Sequence, residues 1–295
     1  MKSAPFDYHR PDNIDEACAI LAADEDARII AGGQSLVPMM AMRLVRPTRL
    51  VDIGRFGSLS YVRALGDAVA IGATTRQCVV ERDPLVGEYV PLLSKVLPWV
   101  GHAATRARGT IGGSIAHADP AAEIVLAAIT LEAKLVYCTR LGTVEVPAPE
   151  FFTGLMTTAL PIGSCLTAIH FPCIAGENVG VGFHEVNARR SDFAFASAAA
   201  QVALEDDGSC RELAIGIGAV TEVPFRLDAI AAEFSGQRIE EPKLRMAIRD
   251  AMSEVTLMSD LHASADYRRR AATTLATRAV MDAVASAGAE RRHVH

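Results

Sequence analysis

The chain has 295 residues, half of them hydrophobic, with 29 basic against 35 acidic side chains and a net charge of −6. This is enough for two domains with separate cores and too apolar for a disordered chain. The basic residues are scattered, with no footprint for nucleic acid, and no apolar run approaches the ~18–20 residues of a membrane span.

The opening residues, Met1 to Tyr8, contain no apolar core of a secretory signal, so a cytoplasmic location is expected. Pro5 to Ala31 reads as strand, helix, strand. Asp12 or Asn13 would cap a helix with Ile14, Ala17, Cys18, Ile20 and Leu21 on one face, and Asp24-Glu25-Asp26 reads as a solvated turn. Next comes Ala31-Gly32-Gly33-Gln34-Ser35-Leu36, between the strand and a helix-like Val37 to Leu44. Leu50 to Ile53 is a short strand. Ala68 to Ala73 is another, with Thr74 or Thr75 placed to cap the following helix. Pro91 to Ala104 reads as helical with a kink at Pro98, and Trp99 as a core or interface residue.

The second glycine segment is Arg108 to Glu123, containing Gly109-Thr110-Ile111-Gly112-Gly113-Ser114 and then His117, Asp119 and Pro120. A Gly-Gly step lets the backbone take positive φ and present successive N–H groups, a seat for an anion. Pro120 is expected to open a helix from Ala121 to Leu131. Two such segments, 80 residues apart, point to a ligand with two phosphates held from both sides by the N–H groups of Gly32 to Leu36 and of Ile111 to Ser114. Ser35, Thr110 and Ser114 would add hydroxyls, and Arg106 and Arg108 stand near enough in sequence to neutralise phosphate or to be surface charge. His117 is expected to bond to backbone. Two unrelated turns remain the alternative on spacing alone. Neither segment matches the P-loop or the dinucleotide fingerprint, which speaks against an ATPase or an ordinary Rossmann dehydrogenase.

Lys134 to Cys138 and Val144 to Val146 read as strands, Pro147-Ala148-Pro149 as a break, and Cys165 to Phe171 as a further strand. Ala175 to Asn178 reads as a linker and domain boundary. Beyond it, Gly180 to Ala188, Ala194 to Leu204 and Leu213 to Val220 form an antiparallel meander. Helices follow at Leu227 to Phe234, Pro242 to Met252 and Ala265 to Ser286. Within the last, Tyr267-Arg268-Arg269-Arg270 reads as a solvated basic face or a contact with another chain. Ala287 to His295 is a frayed tail. The six cysteines form no Cys-x-x-Cys pair, so zinc ribbons and redox dithiols are excluded, and buried reduced thiols are the reading. No metal-ligand cluster or Ser/His/Asp triad is legible, so no metal site and no catalytic residue is assigned.

Residues Ala31 to Leu36, continued by Pro38, Arg43-Leu44, Pro47 and Leu50 to Ile53, resemble the first FAD-binding stretch of the medium, flavoprotein subunit of the molybdenum hydroxylases, the carbon monoxide dehydrogenase/xanthine dehydrogenase family. Arg106 to Glu123 is similar to that family's second FAD loop, and Phe151-Phe152-x-Gly154-x-x-x-Thr158-x-Leu160 to a third landmark. The resemblance covers nearly the whole chain. It implies an α+β fold: a two-subdomain FAD-binding domain of the PCMH type over residues 1–176, with subdomains of about 1–55 and 56–176. A C-terminal domain with a three-stranded antiparallel sheet and helices over 177–286 would follow, then a tail, 287–295.

Among site residues, the resemblance implies FAD contacts by Ala31, Gly32, Gly33, Gln34, Ser35, Leu36, Thr110, Ile111, Gly112, Gly113, Ser114 and Ala118. Glu123 would reach a ribose hydroxyl and Leu166 would pack on the isoalloxazine. His184 stands where relatives often carry a Lys near the flavin, and Phe193 would lie over one flavin face. The partners implied are a large subunit with the molybdenum cofactor and a small one with two [2Fe–2S] clusters, in a dimer of heterotrimers. Electrons would run from molybdenum through the clusters to FAD and an external acceptor, leaving substrate hydroxylation to another chain. The alternatives are a self-contained FAD-dependent oxidoreductase and a non-catalytic module binding another phosphate ligand.

Overall fold

The structure, a computed structural model, describes residues 2–174 and 178–290. Three units follow one another along the chain.

The first is β1 (Asp7–His9), α1 (Ile14–Ala23), β2 (Arg28–Ile30), α2 (Leu36–Ala41) and β3 (Arg49–Asp52), a parallel sheet of order β1-β3-β2. Parallel pairing needs helical crossovers, which α1 and α2 supply. Asn13 caps α1, its side chain accepting from the Glu16 N–H at 2.9 Å, and Ala17, Cys18 and Leu21 are the buried face. They pack with Val51, Ile53 and Cys165. Asp24 is engaged as well as solvated, its carboxylate accepting from the Thr48 hydroxyl at 2.8 Å.

The second unit begins with β4 (Val62–Leu65) and β5 (Ala68–Gly72). Six helices follow: α3 (Gln77–Val80), α4 (Pro84–Tyr89), α5 (Pro91–Val96), α6 (Ala103–Arg108), α7 (Ile111–His117) and α8 (Glu123–Thr130). It closes with β6 (Lys134–Thr139), β7 (Gly142–Pro147), α9 (Ala148–Phe151), the small hairpin β8 (Phe152–Gly154) and β9 (Thr157–Thr158), and β10 (Cys165–Pro172). Its sheet runs β4-β5-β10-β6-β7, antiparallel throughout. Helix α8 is buried all round, every residue from Ile124 to Thr130, and forms the centre of the largest core.

Several elements differ from expectation. The expected helix from Pro91 splits into α5, a 3₁₀ turn at Leu97–Trp99 and α6, because Pro98 offers no N–H to continue it. Neither Thr74 nor Thr75 caps α3: its N-cap is Arg76, and the Thr75 hydroxyl donates to the Tyr61 carbonyl at 3.0 Å. Helix α8 starts at Glu123 and not at Ala121, since Asp119 draws the Ala121 N–H into a side-chain turn at 2.8 Å.

The third unit is a four-stranded antiparallel sheet of β11 (Val179–Val186), β12 (Ala196–Leu204), β13 (Cys210–Gly218) and β14 (Phe225–Arg226), covered by α10 (Asp228–Phe234), α11 (Glu241–Ser253) and α12 (Ala265–Glu290). The two-residue β14 adds to the three expected strands. Helix α12 runs on through Ala287, which is buried, so the expected fraying at 287 gives way to packing. Ala276, Ala279, Ala283 and Ala287 form a stripe that comes against β11. Residues 291–295 of the expected tail and 175–177 of the expected linker lie outside the described residues.

Arg268 corrects the reading of the basic run on α12. It is 3% exposed. Its guanidinium donates to the carbonyls of Phe195 and Ala219 and pairs with Asp260 at 2.6 Å, so it ties β12, β13 and α12 together instead of facing solvent or another chain.

The second and third units share a core. Trp99 meets Phe183 edge to face at 5.6 Å, and Phe183 and Ala199 join the cluster around α8. The six cysteines are free thiols, but only Cys18, Cys165 and Cys210 are buried; Cys78, Cys138 and Cys173 are half-exposed.

Candidate functional site

The two glycine segments meet. A Cβ on Gly32 would press into the carbonyl oxygen of Arg108 and lie 2.9 Å from the Gly109 Cα, so only glycine at position 32 allows the approach. Gly33 adopts φ +71°, the left-handed conformation that turns the chain from β2 into α2. Around this contact opens a cavity of about 620 Å³, walled by both segments, by Leu160 and Leu166, and by the Ser191–Phe193 loop between β11 and β12.

The two segments contribute differently. Among the described residues, nothing accepts the N–H groups of Gly32, Gly33, Gln34, Ser35 and Leu36. The carbonyls around them are used, Gly33 by Val37 at 3.1 Å and Gly32 by the Gln34 side chain at 3.2 Å. Five consecutive N–H groups on a cavity wall form a seat for an anion. The five residues are half-buried, so their donors stand open to the acceptors of a ligand.

The second segment is not a free loop. Gly112 and Gly113 lie in the first turn of α7 without positive φ. The Ile111 N–H donates to Thr75 at 3.0 Å, Gly112 to Ala73 at 2.9 Å, Gly113 to the Thr110 hydroxyl at 3.0 Å and Ser114 to the Thr110 carbonyl at 3.2 Å. The expectation that Ile111 to Ser114 present free donors is therefore corrected. Their N–H groups anchor α7 to the end of β5, and the small residues give that wall its shape. Gly112 is required by contact, since a Cβ there would meet Ala73 at 2.5 Å.

Of the other expected residues, Ala31, Gly32 to Leu36, Thr110, Gly112, Gly113, Ser114, Glu123, Leu166 and Phe193 wall the cavity together. Three do not. Ile111 is wholly buried in the core, and Ala118 is the buried left-handed C-cap of α7, with φ 53°. His184 faces the other side of its sheet. Side chains alternate along a strand: Phe183 points to the α8 core, whereas Gly182 and His184 point to α12, where His184 pairs with Asp282 at 2.9 Å. Arg106 is held by Glu81 at 2.8 Å and by the carbonyls of Val100 and Gly101, so it braces α6 against α3 and is not left for a phosphate. His117 walls the cavity and, contrary to expectation, bonds to no backbone group among the described residues.

Wall residues not singled out from the sequence include Gln77 and Met156. Gln77 is 5% exposed, donates to the Thr110 carbonyl at 3.4 Å and keeps its own carbonyl oxygen unmatched. Its position at the start of a four-residue helix gave no periodic signal.

Burial dominates the electrostatics. It pushes the Glu123 carboxyl up to about 7, with Asp119 adding to the rise and Arg106 opposing it. Glu185, on β11, is pushed up to about 8 by burial and then by Glu123. One of its oxygens accepts from Asn187 at 2.8 Å and the other is buried without a partner. His117 is lowered by burial, with Asp119 pulling the other way. Phe193, at the mouth, is 72% exposed.

Residues 4–174 match the family model for the FAD binding domain in molybdopterin dehydrogenase, and residues 182–283 match that for the CO dehydrogenase flavoprotein C-terminal domain. The chain is 31% identical over 285 residues to the 6-hydroxypseudooxynicotine dehydrogenase complex subunit alpha of Paenarthrobacter nicotinovorans, covering 96% of each. It is 32% identical over 288 residues to the carbon monoxide dehydrogenase medium chain of Afipia carboxidovorans, covering 97% of this chain and 99% of that one. Among solved structures, quinoline 2-oxidoreductase from Pseudomonas putida 86 superposes with a TM-score of 0.92 at 35% identity, covering 97% of this chain and 99% of that one. Reconstituted CO dehydrogenase from Oligotropha carboxidovorans gives 0.93 at 31%, with 97% and 100% covered.

Proposed function

The chain belongs to the FAD-binding medium subunits of the molybdenum hydroxylase family of oxidoreductases, and we propose that it serves there as the electron-transfer subunit. In this reading it links [2Fe–2S] clusters on a small partner subunit to an external electron acceptor, while a large partner subunit carries the molybdenum cofactor and acts on substrate. A dimer of heterotrimers in the cytoplasm is the assembly we propose. The coverage of nearly the full length of relatives that are themselves named as subunits or chains of such dehydrogenases supports a place in a multi-subunit complex. No helix among the described residues is long and apolar enough to cross a membrane. We take residues 1–176 as the FAD-binding domain and 177–286 as the C-terminal domain, a division that the two family matches support.

The observation that carries the site assignment is the row of unmatched N–H groups from Gly32 to Leu36 against a wall of small residues on α7. That donor set suits a pyrophosphate, which offers only acceptors. Glu123 would hold a ribose hydroxyl, Leu166 would pack beneath the ring system, and Phe193 would cover it from the mouth. Bound flavin supplies the redox chemistry, exchanging electrons singly or in pairs. The residues here bind and orient it, and the half-buried carboxyls of Glu123 and Glu185, raised by desolvation, lessen the negative charge beside it near neutral pH.

The experiment is co-purification of the chain with its two partner subunits, followed by substrate addition and a record of the flavin absorbance. Bleaching that disappears when the small subunit's clusters are removed is the expected result. Bleaching at an unchanged rate without the clusters would refute the relay and favour a self-contained flavoenzyme.

A further inference from the structure

Among the described residues walling the cavity, His117 is the one histidine. It ends α7, and the left-handed Ala118 then turns the chain away. The ring is half-buried and has no hydrogen-bond partner among the described residues. Imidazole carries one nitrogen that donates and one that accepts when neutral. A half-buried ring on a ligand cavity with no partner among the described residues is free to meet the acceptors of a ligand, and when charged it can donate to them from both nitrogens.

We propose that His117 contacts FAD and takes up a proton as the cofactor's negative charge enters the cavity, which makes FAD binding proton-linked. This rests on the FAD reading of the cavity. Asp119 acts on the ring directly; the other charged groups on the cavity wall are Glu123 at the start of α8, Asp192 on the β11–β12 loop and Arg28 on β2, with Arg106 acting on Glu123 and Glu123 on Glu185. Burial outweighs Asp119 and holds the ring's pKa below the usual imidazole range, which favours the neutral form. An anion brought against it favours the charged form. The proton comes from the buffer and settles on the nitrogen that was free; no bond to FAD is made or broken.

The test is calorimetric titration of the flavin-stripped full chain with FAD at about pH 6, in two buffers of different ionisation enthalpy. The difference in heat counts the protons taken up. At that pH the Glu123 and Glu185 carboxyls, pushed up to about 7 and about 8, are mostly protonated and add little to the signal, and the His117 variants assign the rest. Expected is proton uptake in the wild type, with affinity tightening by up to about tenfold per unit fall in pH. Both effects should be lost in His117→Gln and His117→Asn, each verified as folded by circular dichroism. FAD binding without proton uptake in the wild type, or uptake unchanged in a folded variant, overturns the inference and leaves the FAD site intact. Failure of the wild type to bind FAD at all removes both.

Discussion

Substituting Gly32 by Ala tests the contact on which the site is built. The added methyl would lie 2.9 Å from the Gly109 Cα and still closer to the Arg108 carbonyl. Carbon atoms rest about 3.5–4.0 Å apart, so the two segments must separate by roughly 0.6–1.1 Å. Both neighbours are backbone, so no side chain can swing aside. Overpacking of this kind costs about 1–3 kcal/mol. If that cost falls on the bound geometry, FAD affinity weakens roughly five- to 150-fold. Fluorescence titration with FAD measures the affinity, and thermal unfolding of the flavin-free protein measures what falls on the fold itself. Gly57→Ala is the control, since nothing stands within 4 Å of its Cβ. Wild-type affinity and wild-type stability together in Gly32→Ala would refute the close approach.

Gly33→Val and Gly112→Val should both lose flavin, the first because a branched side chain is strained at φ +71° and the second because its Cβ meets Ala73; full flavin occupancy on purification of either would count against the geometry. Glu185→Gln should change how stability depends on pH. A carboxyl raised from 4.5 to about 8 stabilises the fold relative to its ionised form below pH 4.5, and that stability is lost as pH rises toward 8. The variant should therefore gain in Tm over wild type at pH 8 and not at pH 5, and a parallel shift at both would contradict the assignment. Arg268→Ala should destabilise by about 1–3 kcal/mol for the buried Ala219 carbonyl alone, read by urea unfolding, and a neutral result would make the tie between β12, β13 and α12 unimportant. Phe193→Ala should leave the flavin-free protein within about 0.5 kcal/mol of wild type while altering the flavin's fluorescence; a large loss of stability would mean that Phe193 is structural.

What the sequence displayed was local chemistry. Asn13 before an apolar face marked α1, short connections between apolar runs marked β11 to β13, and the glycine pairs marked the cavity walls. What it hid depends on chain crossings. That Gly112 lies in the first turn of a helix whose first N–H groups are taken by Thr75 and Ala73 requires knowing that α7 docks on the end of β5. By resemblance His184 stands at a position that approaches the flavin, yet strand alternation turns it to α12. Arg268 sits in a run of three arginines that reads as solvated, and only the approach of Phe195 and Ala219 gives it buried acceptors. Gln77 lies in too short a helix to show a period.

The most direct measurement is an absorption spectrum of the purified chain with mass identification of whatever denaturation releases. The expected result is FAD at close to one equivalent, lost in Gly33→Val. A colourless protein that refuses added FAD would contradict the cofactor assignment and leave the Gly32 to Leu36 donors to another phosphate ligand.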